Sequence, residues 1–173
     1  MILMVGSSMM VSYYTTSIYE LVISLCFVTF LMTCVCTDCW SGFIPNRLTA
    51  SGLLVLISVR LLYPESTWGS YLLGMLAGFC IIVIIIVLSD GGMGWGDAKM
   101  MGVAGFAIGW PSITVAIMTA VICGGLWSIY LMIGSVHEAP RTIPFAPHLA
   151  AGSLLAYIWG EFLLQAYWRL LVG

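Results

Sequence analysis

Long runs of apolar residues constrain the fold of this chain more than any other feature. The most strongly apolar of them, 71–88, contains no charged residue. A helix needs about 20 predominantly apolar residues to cross a bilayer. Charged residues make up 7% of the chain, whereas a soluble domain usually carries about 25%. Because so few charges cannot cover a water-facing surface, the sequence predicts an integral membrane protein.

The apolar runs predict an all-α integral membrane protein with about six transmembrane helices in a single domain, 1–173. Residues 1–17 are interpreted as an interfacial or partly ordered lead-in. The predicted spans, each separated by a short connection, are 18–36, 48–62, 71–88, 98–110, 113–133 and 147–165. Two of them are short, and we expect neighbouring helices to bury them, with Gly102, Gly105, Gly124 and Gly125 permitting close approach.

The distribution of positive charges predicts the orientation. If every helix crosses once, the odd-numbered connections share one side of the membrane. These carry Arg47, Lys99 and Arg141, whereas Arg60 and Arg169 lie on the other side. Lys and Arg are enriched in cytoplasmic loops. The three-to-two majority therefore places the odd connections in the cytoplasm and both termini outside.

Charge and cysteine content disfavour several other functions. The net charge is −2 with only five Lys and Arg, so the chain offers no basic patch for nucleic acid. Cys36 and Cys39 have CxxC spacing, but no second pair completes a tetrahedral zinc site. We interpret Cys34 and most other cysteines as small apolar residues. We expect no metal and no cofactor; the oligomeric state and the roles of these cysteines stay open.

Two carboxylates are the strongest candidates for chemistry. Asp38 lies in the first predicted connection, and Asp97 lies in the third, within the pentad Gly94–Ala98. Ionisable residues at a membrane segment are rare and usually functional. Two neighbouring carboxyl groups share one proton, so one activates water while the other polarises a carbonyl group. This pattern is typical of an aspartic protease that works at a membrane.

The surroundings of the two aspartates supply candidate supporting residues. Gly94 and Gly96 allow a substrate strand to approach closely. Lys99 could neutralise charge or anchor a lipid phosphate, and lipid anchoring is the preferred interpretation. The predicted substrate-binding or loop-supporting set is Gly94, Gly96, Lys99, Pro45, Asn46, Pro144 and Pro147.

Other polar residues are weaker candidates. Pro144 and Pro147 are interpreted first as helix punctuation and second as a rigid wall beside the site. Four residues share the predicted face and could assist: Asp90, Glu138, His137 and His148. A metal site that combines the two histidines with the two aspartates is disfavoured, because the histidines are eleven residues apart and so do not form an i, i+4 pair on a helix.

Three segments, in order, resemble the type IV prepilin peptidases of the GxGD aspartic membrane protease class. Asp38 is followed by IPNRLT at 44–49, GGMGWGDAKMM occupies 91–101, and IPFAPHLAA occupies 143–151, where Ala146 replaces the usual glycine. The resemblance implies that Asp38 and Asp97 are the catalytic pair. It also implies that the substrates are type IV pilin-like precursors, whose short basic leader is removed at the cytoplasmic face.

One departure from that family refines the expectation. Long members carry a zinc-binding domain between the first span and the first aspartate, and they methylate the new N-terminus. Here Asp38 follows the first span directly, which predicts a short-form peptidase without N-methylation. Two alternatives stay open: a GxGD protease for other membrane substrates, and a small proton- or cation-coupled transporter. The sequence does not identify the pilin, or distinguish pilus assembly from secretion or conjugation.

Overall fold

Six helices account for nearly all of the residues that the structure describes. The structure is a computed structural model that describes the backbone of residues 2–62, 66–89, 92–134 and 144–172, with side chains from residue 18 to 170 within those ranges except 131, 132 and 134. The helices are α1 Ile2–Ser41, α2 Asn46–Leu62, α3 Trp68–Leu88, α4 Trp95–Ile108, α5 Ser112–Gly134 and α6 Ala146–Val172. The all-α prediction is confirmed.

Four of the helices in the described residues are long and apolar enough to cross a membrane. Their apolar segments are Ile18–Ser41, Trp68–Leu88, Ser112–Tyr130 and Ala146–Leu170. The protein is therefore a multi-pass membrane protein. Helix α4 has 14 residues, and at about 1.5 Å per residue it spans roughly 21 Å, less than the ~30 Å hydrocarbon layer. That α2 and α4 also cross the membrane stays a prediction.

Helix α1 ends later than predicted and α4 begins earlier, so both aspartates lie on helices rather than in connections. No proline occurs between Ile2 and Ser41, so α1 continues beyond the predicted end at residue 36. It ends where Gly42 takes a φ of 63° and donates its N–H to the carbonyl of Asp38 at 2.8 Å. A glycine with positive φ is a common helix terminator. Asp38 therefore lies in the last turn of α1, not in a connection.

Helix α4 lies at the centre of the bundle and contacts each of the other five helices. Most of its side chains between Asp97 and Ala107 are buried, as expected for a helix too short to face lipid along its length. Gly105 and Gly74 of α3 bring the two backbones together, because a side chain on either would overlap the other residue's carbonyl. In a bilayer such close packing replaces the hydrophobic effect as the source of helix association.

The expectation of burial is wrong for α2. Only three of its residues are buried: Thr49, Leu56 and Arg60. Arg60 donates to the carbonyl of Ala107 at 3.1 Å, and its guanidinium carbon lies 4.9 Å from the centre of the Tyr71 ring. These contacts compensate the burial of a charge. They join the end of α2 to α4 and α3.

Candidate active site

Asp38 projects from the last turn of α1 towards the beginning of α6. Its Oδ2 accepts a hydrogen bond from the backbone N–H of Ala146, the first residue of α6, at 3.3 Å. The N-terminus of a helix carries partial positive charge and unpaired N–H groups, and both stabilise a negative charge. The fold thus places a backbone donor beside one of the two predicted catalytic aspartates.

Asp97 is the third residue of α4 and is held by the start of its own helix. Its Oδ2 accepts the N–H of Gly94 at 3.2 Å, the contact by which an acid at this position caps a helix. The side chain is only 5% exposed. Its Oδ1 is buried and has no hydrogen-bond partner among the described residues. Such an atom is costly to leave unpaired, so it is suited to hold a proton or to meet a substrate.

The environment of Asp97 favours its protonated form. Asp97 precedes the predicted span 98–110. Burial first, and the nearby charge of Asp38 second, raise the pKa of Asp97 from 3.8 to about 6, although the hydrogen bond from Gly94 acts in the opposite direction. Two carboxylates that share a site do not both ionise easily. The arrangement therefore has the electrostatic property that proton sharing requires.

The two aspartates line the same space. One cavity of about 540 Å³ includes both carboxylates, together with the turns at Gly42 and Gly94 and the segment Pro144–Phe145. An adjoining cavity of about 340 Å³ again includes both aspartates and extends to Asn46 and Lys99. Although they are far apart in sequence, the structure brings Asp38 and Asp97 together at one end of the bundle.

Lys99 contacts α2 in the structure. Its Nζ donates to Oδ1 of Asn46, the first residue of α2, at 2.6 Å. The carbonyl of Pro45 accepts the N–H groups of Leu48 and Thr49 and so begins that helix. Lys99, Asn46 and Pro45 therefore connect α4 to α2 beside the cavity. This interhelical contact differs from the lipid-anchoring interpretation of Lys99.

The two glycines before Asp97 have different environments. A Cβ atom on Gly96 would lie 2.9 Å from Cβ of Ile44, closer than real Cβ atoms approach. A Cβ on Gly94 would meet only Oδ2 of Asp97 at 3.5 Å and the backbone of Gly96 at 3.9 Å, which are ordinary contacts. Gly96 therefore permits the first turn of α4 to pack on Ile44, whereas Gly94 contributes its backbone N–H.

The segment before α6 forms part of the cavity wall. Pro144 and Phe145 line the larger cavity, which fits the rigid-wall interpretation better than the preferred one of punctuation alone. Pro147 is the second residue of α6, where a missing N–H is tolerated, and it is not among the cavity residues. The N–H of Ala146 was missed, because a backbone donor has no sequence signature apart from the helix start.

The remaining candidates are only partly described. His148 lies near the start of α6, with its ring 5.7 Å from that of Phe145. Asp90, His137 and Glu138 lie outside the described residues. In the parts of the chain that are described, no group of three or more His, Cys, Asp or Glu side chains could hold a metal ion.

The fold and site define a class: a multi-pass helical membrane protein with two carboxylates facing one cavity at a helix end. A family model described as the type IV leader peptidase family matches residues 25–129. The chain belongs to that family.

Relatives with known names agree. The chain is 33% identical over 154 residues to a prepilin leader peptidase/N-methyltransferase of Bacillus subtilis (strain 168), covering 89% of this chain and 62% of that protein. It is 26% identical over 129 residues to one of Aeromonas salmonicida (strain A449), covering 72% and 44%. The chain thus spans less than two thirds of the length of either relative. No solved structure gives a match.

Proposed function

We propose that this protein is an aspartic endopeptidase that removes the basic leader from type IV prepilin-like precursors at the cytoplasmic face of a bacterial inner membrane. The observation that carries the proposal is the shared cavity of Asp38 and Asp97. Membership of the type IV leader peptidase family supports the substrate class.

The two aspartates have environments suited to different roles. Asp97, which is buried and has a raised pKa, carries the shared proton and polarises the scissile carbonyl oxygen. Asp38, which faces the N–H of Ala146, is the carboxylate that removes a proton from water, since an ionised oxygen is the stronger acceptor. The hydroxide oxygen adds to the carbonyl carbon, and the carbonyl oxygen takes the proton of Asp97.

The tetrahedral intermediate then collapses. The proton held by Asp38 passes to the leaving nitrogen as the C–N bond breaks. The hydroxyl proton returns to Asp97 as the carboxylic acid forms. The pair ends in its starting protonation state, so one water molecule is consumed and no cofactor enters the reaction. The cavity volume of about 540 Å³ leaves room for an extended peptide segment and a water molecule.

The chemistry of the leader fits the charge of the site. Two acids and no described basic residue line the larger cavity, so a basic leader is attracted to it. The backbone around Gly94 is extended, with φ −76° and ψ 144°. An extended substrate can pair with such a segment through main-chain hydrogen bonds.

We also propose that cleavage is not followed by N-methylation. In long family members the additional domain lies between the first span and the first aspartate, but here α1 runs without a break to Asp38 and Ser41. Co-expression with a candidate prepilin tests this, because intact mass distinguishes a free N-terminus from one carrying a methyl group. A methylated product formed by the purified protein would overturn this part of the proposal.

The same assay tests the peptidase. Asp38→Asn and Asp97→Asn are each expected to abolish leader removal while the protein still accumulates in the membrane. Glu161→Gln is a matched control, because this acid lines a different cavity together with Glu20 and Arg60; it is expected to process normally. Near-normal cleavage by either aspartate variant would exclude the assigned pair. Proton or cation flux through proteoliposomes that requires Asp97, without any cleavage, would favour the transporter instead.

A further inference from the structure

A cluster of rings lies behind the cavity wall, between α5 and the start of α6. The ring of His148 is 5.7 Å from that of Phe145 and 6.4 Å from that of Trp127, measured between centroids. Phe145 also lines the cavity that contains the two aspartates. The ring cluster, defined as Phe145, His148 and Trp127, therefore joins the site to α5.

Phe145 sits over a glycine of α5. A Cβ on Gly124 would overlap the Phe145 ring, with Cζ only 2.9 Å away. The next residue, Gly125, has no atom within 4 Å of the position that its Cβ would take, among the described neighbours. Because Gly124 has no side chain, it leaves the space in which the Phe145 ring is seated. A methyl group on Gly125 would not contact this ring.

The backbone of Phe145 begins the first turn of α6. Its carbonyl accepts the N–H groups of His148 at 3.0 Å and of Leu149 at 3.2 Å. The residue directly after Phe145 is Ala146, whose backbone nitrogen lies 3.3 Å from Oδ2 of Asp38. This distance is already slightly beyond the usual range of about 2.7–3.2 Å for N–H···O hydrogen bonds. A displacement of the ring that also shifts the Phe145 backbone by a few tenths of an ångström would therefore weaken the contact to Asp38.

We propose that Gly124 is a positioning residue for the reaction: by seating Phe145 it holds the first turn of α6 so that the Ala146 N–H meets the carboxylate of Asp38. The proposal rests on the peptidase function proposed above. Gly124 itself does not line the described cavities at the aspartates. It acts through the backbone of the following helix on a residue in α1.

The test compares Gly124→Ala with Gly125→Ala, the same change at adjacent positions of one helix. Leader removal from a candidate prepilin is measured with purified protein, separating kcat from KM. A hydrogen bond to a charged group contributes enough that its loss changes a rate by about 10- to 100-fold. We expect Gly124→Ala to lower kcat by about 10-fold or more, with a smaller change in KM, and Gly125→Ala to match the unmodified protein.

A second change in Phe145 distinguishes this mechanism from general misfolding. Leucine at 145 is shorter than the ring and leaves room for the methyl group, so Phe145→Leu is expected to restore most of the kcat that Gly124→Ala removes. If Gly124→Ala does not accumulate, the Phe145→Ala background is used, in which Gly124→Ala should accumulate and have no further effect.

The outcomes separate the two proposals. If the unmodified protein does not cleave any prepilin, the peptidase function fails and takes this inference with it. If the unmodified protein cleaves and Gly124→Ala equals Gly125→Ala, only the positioning role fails. The role also fails if Gly124→Ala is impaired but Phe145→Leu does not rescue it, or if Gly124→Ala still fails to accumulate when Phe145 is alanine.

Discussion

At the scale of single residues, the structure distinguishes two aspartates that the sequence shows as equivalent. Asp97 is buried, with one carboxylate oxygen lacking a partner among the described residues, whereas Asp38 is only partly buried and meets a helix N-terminus. The sequence indicates that both acids lie at membrane-segment ends. It does not indicate their different surroundings, because these depend on Gly94 and Ala146, which contribute only backbone groups.

The raised pKa of Asp97 predicts how leader cleavage depends on pH. In the proposed mechanism Asp97 is the proton donor, so the active form of the free enzyme is lost as pH rises through its pKa of about 6. We expect kcat/KM to decrease with increasing pH above that value, tenfold per pH unit at the limit. A steady-state pH series with a synthetic prepilin segment measures this. A rate that increases through pH 6 and then stays constant would contradict the assignment of Asp97 as the acid.

The same shift predicts the effect of Asp97→Asn on stability. An acid whose pKa is raised by folding binds more protons in the folded state, so stability decreases as pH rises from about 4 to above 6. A shift from 3.8 to about 6 corresponds to at most ~3 kcal/mol. Asparagine carries no charge, so Asp97→Asn should raise the unfolding temperature at pH 7.5 and have little effect at pH 4. An inactive variant that is also less stable at pH 7.5 would contradict this.

At the scale of the helices, the sequence predicts most segments but not their ends. The apolar runs define where α3 and α5 lie to within a few residues, because hydrophobic length determines a span. The end of α1 and the start of α4 differ from prediction because they depend on local geometry, such as the positive φ of Gly42, whereas the start of α6 lies one residue from its predicted position. These ends carry the site. The side of the membrane shared by Asp38 and Asp97 is therefore easier to predict than the contact that each one makes.

The first turn of α4 provides a test of the two glycines in the GxGD pattern. Gly96→Ala introduces a methyl group into the contact with Ile44, and overpacking of this kind typically costs about 1–3 kcal/mol. We expect a lower unfolding temperature and at least a 10-fold slower cleavage, because a shift of the first turn of α4 away from Ile44 also moves Asp97. Gly94→Ala is the matched control, since its methyl group has room, and it should be affected less in both measurements.

At the scale of the whole molecule, the bundle has two groups of polar residues that are separated along the length of the helices. Asp38 and Glu20 belong to the same helix and are 18 residues apart in sequence, which corresponds to ~27 Å of helix and is close to the ~30 Å hydrocarbon thickness. Glu20 lines a second cavity of about 350 Å³, together with Arg60 and Glu161. The aspartate pair and the cavity lined by Glu20, Arg60 and Glu161 are therefore separated by a distance that fits opposite faces of one bilayer.

Which face is cytoplasmic depends on a majority of one charge, so it requires a direct measurement. Cys39 is exposed and lines the aspartate cavity. With the other five cysteines replaced by serine or alanine, a membrane-impermeant maleimide should label Cys39 in inside-out vesicles and not in right-side-out vesicles. Glu161→Cys in a cysteine-free background should show the reverse. Maleimide at Cys39 should also block cleavage, because it fills the cavity. Labelling of Cys39 in right-side-out vesicles would invert the orientation, and labelling of both positions from one side would exclude the placement of the two groups on opposite faces.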